Sequence, residues 1–272
     1  MFNWVLFLCL VGVCIPGVLV AIPQALSTIE KTIVSRLPAD KKIPPKPVLI
    51  VLSIAQSLIL VAIAAAVGTA LAYRVDLQAP FFEALVSGGP LLSALRHQIV
   101  PTLIGGVGGA IIFIAAYYLI FRPRLDDQTV KSMEGLRMGL GIWSRILYGG
   151  IFEEVLTRWG LMSLFVWLGA LLVGSPTAAV VWVAIVISGV LFGLGHLPSY
   201  LAAGCQKTPM FFALMISLNL WAALIFGWLF WQYGLVAAML AHMLFHIVWL
   251  PFDLYFYKRS GNGIHTDTAS NR

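Results

Sequence analysis

Seven runs of about 20 apolar residues follow one another along this 272-residue chain, and they restrict its fold more than any other feature. A helix needs about 20 such residues to cross a bilayer, where every backbone polar group must be paired. The chain is 60% hydrophobic and only 10% charged, unlike a soluble domain. We therefore predict an all-α, polytopic transmembrane helix bundle that forms a single domain over residues 1–272. The predicted spans are residues 2–22, 48–72, 99–121, 146–173, 178–197, 211–231 and 235–250.

The distribution of basic residues predicts the orientation of these spans. Of the 17 Lys and Arg, 14 lie in the segments after the first, third, fifth and seventh spans. Only Arg74 and Arg96 lie in loops on the other side. The positive-inside rule then places the N-terminus outside and the C-terminus in the cytoplasm. The net charge of +6 is spread over several loops without a recognisable binding module, so the expected partner is the lipid bilayer and not nucleic acid.

A segment between the third and fourth spans shows helical periodicity of its own. Residues 126–143 place apolar side chains at helical spacing opposite a polar set. We predict an amphipathic helix that lies on the cytoplasmic membrane surface and leads into the fourth span. The apolar set is Val130, Met133, Leu136, Leu140 and Trp143, and the polar set is Lys131, Glu134 and Arg137.

Three charged side chains lie within the fourth predicted span: Glu153, Glu154 and Arg158. A charge near the bilayer centre costs about 3 kcal/mol, so three in six residues indicate an internal polar site. Glu154 and Arg158 are four residues apart with the acid first, which is the favourable order for an ion pair. Glu153 points about 100° away around the helix. It has no basic partner in its own turn, so we expect it to face another group.

Three of the five histidines lie in apolar spans or at their ends. His196 ends the fifth span, and His242 and His246 share one face of the seventh. Counted along the helices, these residues and Glu153 all fall in the cytoplasmic half of the bundle. We therefore predict that Glu153 and the three histidines line one cavity. A carboxylate in such a low-dielectric cavity suits the general base of a hydrolysis.

The ordered set of motifs resembles a known family. Glu153-Glu154-x-x-x-Arg158, Phe192-x-x-x-His196 and His242-x-x-x-His246, on successive spans, look like the motifs of the CAAX-protease and bacteriocin-processing (CPBP, or Abi) intramembrane proteases. The resemblance covers residues 149–249, within a motif-bearing core of about 146–252. It implies an intramembrane endopeptidase that needs no cofactor and acts on a peptide or membrane protein. The site it implies comprises Glu153, Glu154, Arg158, His196, His242 and His246.

The resemblance also implies roles for individual positions. In the family, the first glutamate and the histidine of the second motif activate a water molecule, and the corresponding residues here are Glu153 and His196. A histidine and a residue four positions later, usually asparagine, stabilise the oxyanion. Here these are His242 and His246, so the chain departs from the family pattern at the last position. A neutral histidine can still donate one N–H to an oxyanion.

Two alternatives remain at this point. His-x-x-x-His on a helix is a good metal chelator, so His196, His242 and His246 with a glutamate are candidate zinc ligands. The absence of a His-Glu-x-x-His motif argues against this metallopeptidase. The second alternative is a non-catalytic protein, such as a transporter or an immunity factor, in which the charged cluster orders the bundle or relays protons.

Overall fold

The computed structural model describes residues 2–36 and 44–259 of the chain. Of these, 91% are helical, and no strand occurs among them. Seven helical segments are long and apolar enough to cross a membrane, which confirms the predicted bundle. Part of the basic segments predicted to be cytoplasmic lies outside the described residues. The spans are Trp4–Thr28 (span 1), Lys46–Val75 (span 2), Leu91–Arg124 (span 3), Asp127–Val173 (span 4), Ala178–Ala203 (span 5), Pro209–Tyr233 (span 6) and Leu235–Arg259 (span 7).

Several helices extend beyond the predicted apolar runs. A short helix, Pro80–Ser87, lies between spans 2 and 3, and span 3 then begins at Leu91, earlier than the apolar run. Span 4 is the longest because it includes the segment predicted as a separate helix. Gly141, with φ 64° and ψ 170°, interrupts the helical backbone between the two parts. Only a glycine adopts this left-handed conformation without strain.

The helix Asp127–Ser144 confirms the predicted helix between spans 3 and 4. The assignment of its polar face, however, was wrong for two residues. Glu134 and Arg137 are only 2% and 4% exposed, whereas Trp143 is 66% exposed. The reason is that Arg137 pairs with Asp253 on span 7, and a buried charge with a partner escapes most of its desolvation penalty. Periodicity within one helix contains no information about such a partner. The location of this helix at the membrane surface stays a prediction.

Glycines let span 4 pack closely against its neighbours. A Cβ added to Gly160 would lie 2.6 Å from the Ala64 Cβ of span 2, and one added to Gly150 would lie 2.4 Å from the Met243 Cγ of span 7. Small residues at helix crossings are the usual means of close packing in membranes. Span 4 thus lies between spans 2 and 7, with its charged residues inside the bundle.

Much of span 4 is wound as a π-helix. The segments Arg145–Glu153 and Val155–Met162 carry this geometry, one on each side of Glu154. Short π-helical stretches occur frequently at functional sites, because the wider turn shifts side chains out of the regular helical register. The motif residues of span 4 therefore lie on an irregular part of the helix.

Candidate active site

Glu153 lies between two histidines from different spans. Its Oε1 is 3.6 Å from His196 Nε2, and its Oε2 is 4.0 Å from His242 Nε2. The three residues come from spans 4, 5 and 7 and line one cavity of about 310 Å³, which His246 also lines. The prediction that Glu153 and the three histidines share a cavity is thus confirmed. The 3.6 and 4.0 Å separations are longer than direct hydrogen bonds, and they suit a bridging water molecule.

The other ring nitrogen of each histidine is held by an acceptor. His196 Nδ1 lies 2.8 Å from the carbonyl oxygen of Phe192, and His242 Nδ1 lies 2.7 Å from Glu154 Oε1. A carbonyl oxygen only accepts hydrogen bonds, so Nδ1 of His196 carries a proton. The ionised Glu154 carboxylate imposes the same tautomer on His242. In their neutral forms, both rings therefore present an unprotonated Nε2 towards Glu153.

The predicted ion pair between Glu154 and Arg158 is confirmed. Arg158 Nε lies 3.2 Å from Glu154 Oε2, and the two side chains are 2% and 0% exposed. Arg158 also donates to the hydroxyl of Thr157 at 2.5 Å, and its guanidinium lies over the ring of Phe226. The sequence did not predict that Glu154 also bonds His242. Glu154 therefore links the buried cation to the histidine beside Glu153.

His246 lies against His242 in the same cavity. The two imidazole rings are stacked, with their centroids 4.9 Å apart, and the buried His246 Nδ1 has no hydrogen-bond partner among the described residues. A Cβ added to Gly149 would lie 2.7 Å from His246 Nε2 and 3.5 Å from His242 Nε2. Only a glycine at this position leaves room for the two rings.

A second cavity meets the first at Glu153. It has a volume of about 510 Å³ and is lined mainly by apolar side chains of spans 2, 4 and 5. Leu60, Ile63 and Leu191 belong both to this lining and to the exposed outer surface of the bundle. Glu153 and His196 line both cavities. The site therefore lies where an apolar cavity meets the first cavity, which we call the polar cavity because its lining includes Arg137, Arg145 and the three histidines.

Two arginines of the cavity lining, Arg137 and Arg145, pair with Asp253, a residue that the sequence analysis did not single out. Asp253 accepts hydrogen bonds from Arg137 at 3.0 Å, from Arg145 at 2.9 Å and from the Tyr118 hydroxyl at 2.9 Å. The sequence does contain a signal for Asp253. It lies eleven residues, or about three helical turns, beyond His242, so the two residues share one face of the helix. In the same way, Arg145 lies eight residues before Glu153. The ion pairs of Asp253 therefore link span 7 to span 4, the two helices that also carry His242 and Glu153.

The described residues offer no preformed metal centre. No group of three or more His, Cys, Asp or Glu among them has a geometry suited to a metal ion. His242 and His246 stack with 27° between their ring planes and with their ring centroids 4.9 Å apart.

Comparison with known proteins shows that the part of the chain with the site is similar to one family. Residues 136–248 match the family model described as type II CAAX prenyl endopeptidase Rce1-like. The model represents the CPBP family, so this part of the chain is similar to that family. The matched segment contains all the motif residues, and it supports a protease and a multi-pass integral membrane protein. The matched segment ends before Asp253. No curated protein and no solved structure matches the chain.

Proposed function

We propose that this protein is an intramembrane glutamic endopeptidase in which Glu153 and His196 activate a water molecule. The observation that carries the proposal is the position of the Glu153 carboxylate, which faces His196 Nε2 and His242 Nε2 where the two cavities meet. A water bound there donates one hydrogen bond to Glu153 and one to His196. Both acceptors then orient a lone pair of the water towards the substrate.

The reaction follows from these positions. The water oxygen attacks the carbonyl carbon of the peptide bond while Glu153 takes its proton, which gives a tetrahedral intermediate with a negatively charged oxygen. The C–N bond then breaks, and the leaving amine receives the proton from Glu153. The products are a carboxylic acid and an amine, which exchange a proton to give a carboxylate and an ammonium group, and Glu153 is again ionised. A general base of this kind contributes a factor of about 100 or more to the rate.

His242 and His246 are the proposed partners of the charged oxygen. Since His242 Nδ1–H donates to Glu154, Nε2 donates to the oxyanion only when the ring holds a second proton. Glu154 is the carboxylate that offsets this charge, because Glu153 is protonated while the oxyanion exists. His246 Nδ1 has no partner among the described residues, so this ring can donate to the oxyanion in its neutral form. Arg158 acts indirectly, because it keeps Glu154 ionised and in place.

The apolar cavity supports a substrate that reaches the site from the bilayer. Its lining includes Leu60, Ile63 and Leu191, which are exposed on the outer surface of the bundle. Its volume of about 510 Å³ accommodates several apolar side chains or a lipid chain. We therefore propose a peptide that carries an apolar segment or a lipid group beside the cleaved bond.

Substitution of His246 distinguishes this mechanism from zinc catalysis. We expect His246→Asn to keep at least about a third of the wild-type rate, because an amide N–H replaces the ring donor at the oxyanion. The measurement is cleavage of membrane-anchored test peptides by the purified protein in liposomes, followed by mass spectrometry. A zinc ligand would not tolerate asparagine in this way. Inactivation of the wild type by a chelator, with recovery on adding zinc back, would contradict the proposal.

Gly149→Ala tests whether the placement of the histidines matters. The added methyl group displaces His246 by contact with Nε2, so we expect activity to fall at least about ten-fold with the fold retained. Gly150→Ala is the matched control, because its methyl group meets the flexible side chain of Met243. The measurement is the cleavage rate of each variant, compared once thermal unfolding shows that the two are equally stable. If both variants lost the same share of activity, the loss would come from packing, and this would count against a role for His246.

A further inference from the structure

Span 6 contributes one polar side chain to the polar cavity, that of Asn219. The other lining residues of span 6 are apolar: Leu214, Met215, Leu218, Ala222 and Phe226. Asn219 Nδ2 donates a hydrogen bond of 2.7 Å to the carbonyl oxygen of Met215, one turn earlier in the same helix. A polar side chain within a membrane span usually links two helices or marks a functional site. Asn219 makes no hydrogen bond to another described helix, which favours a functional role.

The Asn219 carboxamide has hydrogen-bonding groups to spare. An amide has two N–H donors and one oxygen acceptor, and the bond to Met215 uses one donor. Oδ1 accepts no hydrogen bond in the part of the chain that the structure describes. The residue is half-buried at the cavity wall. One spare donor beside one acceptor matches a residue of an extended peptide, whose backbone N–H and C=O point to the same side.

Contacts with two neighbouring spans place Asn219 near the candidate active site. A Cβ added to Gly193 of span 5 would lie 3.2 Å from the Asn219 Cβ. Gly193 precedes His196 by three residues, or about 4.5 Å of helix. On span 6, Phe226 stacks on His242 with their ring centroids 4.7 Å apart, and it follows Asn219 by about 10 Å of helix. Asn219 therefore lies one to two helical turns from the histidines of the site.

We propose that Asn219 binds the backbone N–H and C=O of one substrate residue, through Oδ1 and Nδ2 respectively. The inference rests on the proposed function, because it assigns Asn219 to the peptide on which Glu153 acts. An extended peptide advances about 3.3 Å per residue, so about three residues cover 10 Å. The bound residue therefore lies within about three residues of the cleaved bond.

This contact has a physical reason in the setting of the site. The backbone groups of a peptide lose their water when they enter a cavity within the bilayer, and an unpaired group there is costly. Asn219 replaces two of the lost hydrogen bonds and so stabilises the extended peptide beside Glu153. Since the contact is to the backbone, it does not depend on which side chain the bound residue carries.

Backbone ester analogues of a short peptide test this contact. The probe is acetyl-Lys-Leu-Leu-Leu-Leu-amide, together with analogues that each replace one leucine N–H by an ester oxygen. Each is titrated calorimetrically into the purified full-length protein in an uncharged detergent. An ester has no N–H to donate to Asn219 Oδ1. We expect one analogue to bind the wild type at least about five-fold more weakly than the parent peptide, and the others to lose less.

Asn219→Leu should abolish this dependence on the ester position, because leucine has a similar size but no hydrogen-bonding group. Partition of each peptide into detergent is the same for both proteins, so it cancels in the comparison. Ser188→Ala is the matched control. Ser188 Oγ also bonds the backbone of its own helix, at Ile185, but it lines neither cavity, so this variant should keep the effect. Asn219→Ala replaces Asn219→Leu if the latter does not fold.

Three results would overturn the role of Asn219. These are equal binding of all analogues to the wild type, no binding of the parent peptide at millimolar concentration, and an effect of ester position that survives the loss of the Asn219 carboxamide.

The outcome is separable from that of the proposed function, because the titrations do not require cleavage. Mass spectrometry of the recovered peptides reports cleavage independently. An effect of ester position that depends on Asn219, in a protein that cleaves no peptide, would support the binding role and refute the peptidase. Cleavage of the parent peptide without any such effect would refute the role of Asn219 alone.

Discussion

Glu153→Gln is expected to lower peptidase activity at least about 100-fold while the protein stays folded. Glutamine keeps the shape of the side chain and can still bind a water molecule, but an amide cannot take a proton from it. Glu153 is not part of the Glu154–Arg158 ion pair, so its neutralisation leaves that pair intact. The measurement is the rate of cleavage of any peptide that the wild type cleaves, together with the unfolding transition in detergent.

Glu134→Gln is the matched control for this experiment. Glu134 is also a buried carboxylate, but it pairs with Arg122 and lines neither of the two cavities. We expect this control to keep most of the activity of the folded protein. If Glu153→Gln cleaved peptides at the wild-type rate, Glu153 would not be the base.

Arg158→Ala is expected to cost about 3 kcal/mol or more of stability, because it leaves Glu154 buried and ionised without its cation. Glu154 is fully buried, so water does not replace the lost partner. The change also removes the guanidinium from the ring of Phe226. Reversible unfolding in mixed detergent, followed by tryptophan fluorescence, measures the loss.

A double variant separates charge from packing in this result. Glu154→Gln combined with Arg158→Ala removes the unpaired charge, and glutamine can still accept the bond from His242. We expect the double variant to be more stable than Arg158→Ala alone. Arg96→Ala, at an exposed position, should change stability by less than about 0.5 kcal/mol. A double variant as unstable as Arg158→Ala would show that the loss comes from packing.

The helix content and the charged motif of span 4 could be predicted from the sequence because both are local properties. An apolar run of sufficient length must form a helix in lipid, whatever its neighbours are. The Glu154–Arg158 pair lies within one turn of one helix, so its spacing predicted the contact that the structure contains. Ordered motifs likewise pointed to the family before its match over residues 136–248.

Contacts between helices could be predicted from the sequence only where the depth of the residues in the membrane constrained them. The shared depth of Glu153 and the histidines predicted one cavity, and the structure confirms it. The bond between Glu154 and His242 was missed because it depends on how far the helices are rotated about their axes. Arg137 was assigned to the wrong face for the same reason, since its partner Asp253 is 116 residues away in the chain.

The sequence by itself determined the class of fold, the number of spans and the family motifs, because each follows from composition or from spacing within a single segment. The tertiary structure decided which ring nitrogens face Glu153, that His246 stacks on His242, and that two arginines share Asp253. These features depend on the rotation and the close approach of spans 4, 5 and 7. Glycine positions and paired buried charges set that geometry jointly, and no single segment specifies it.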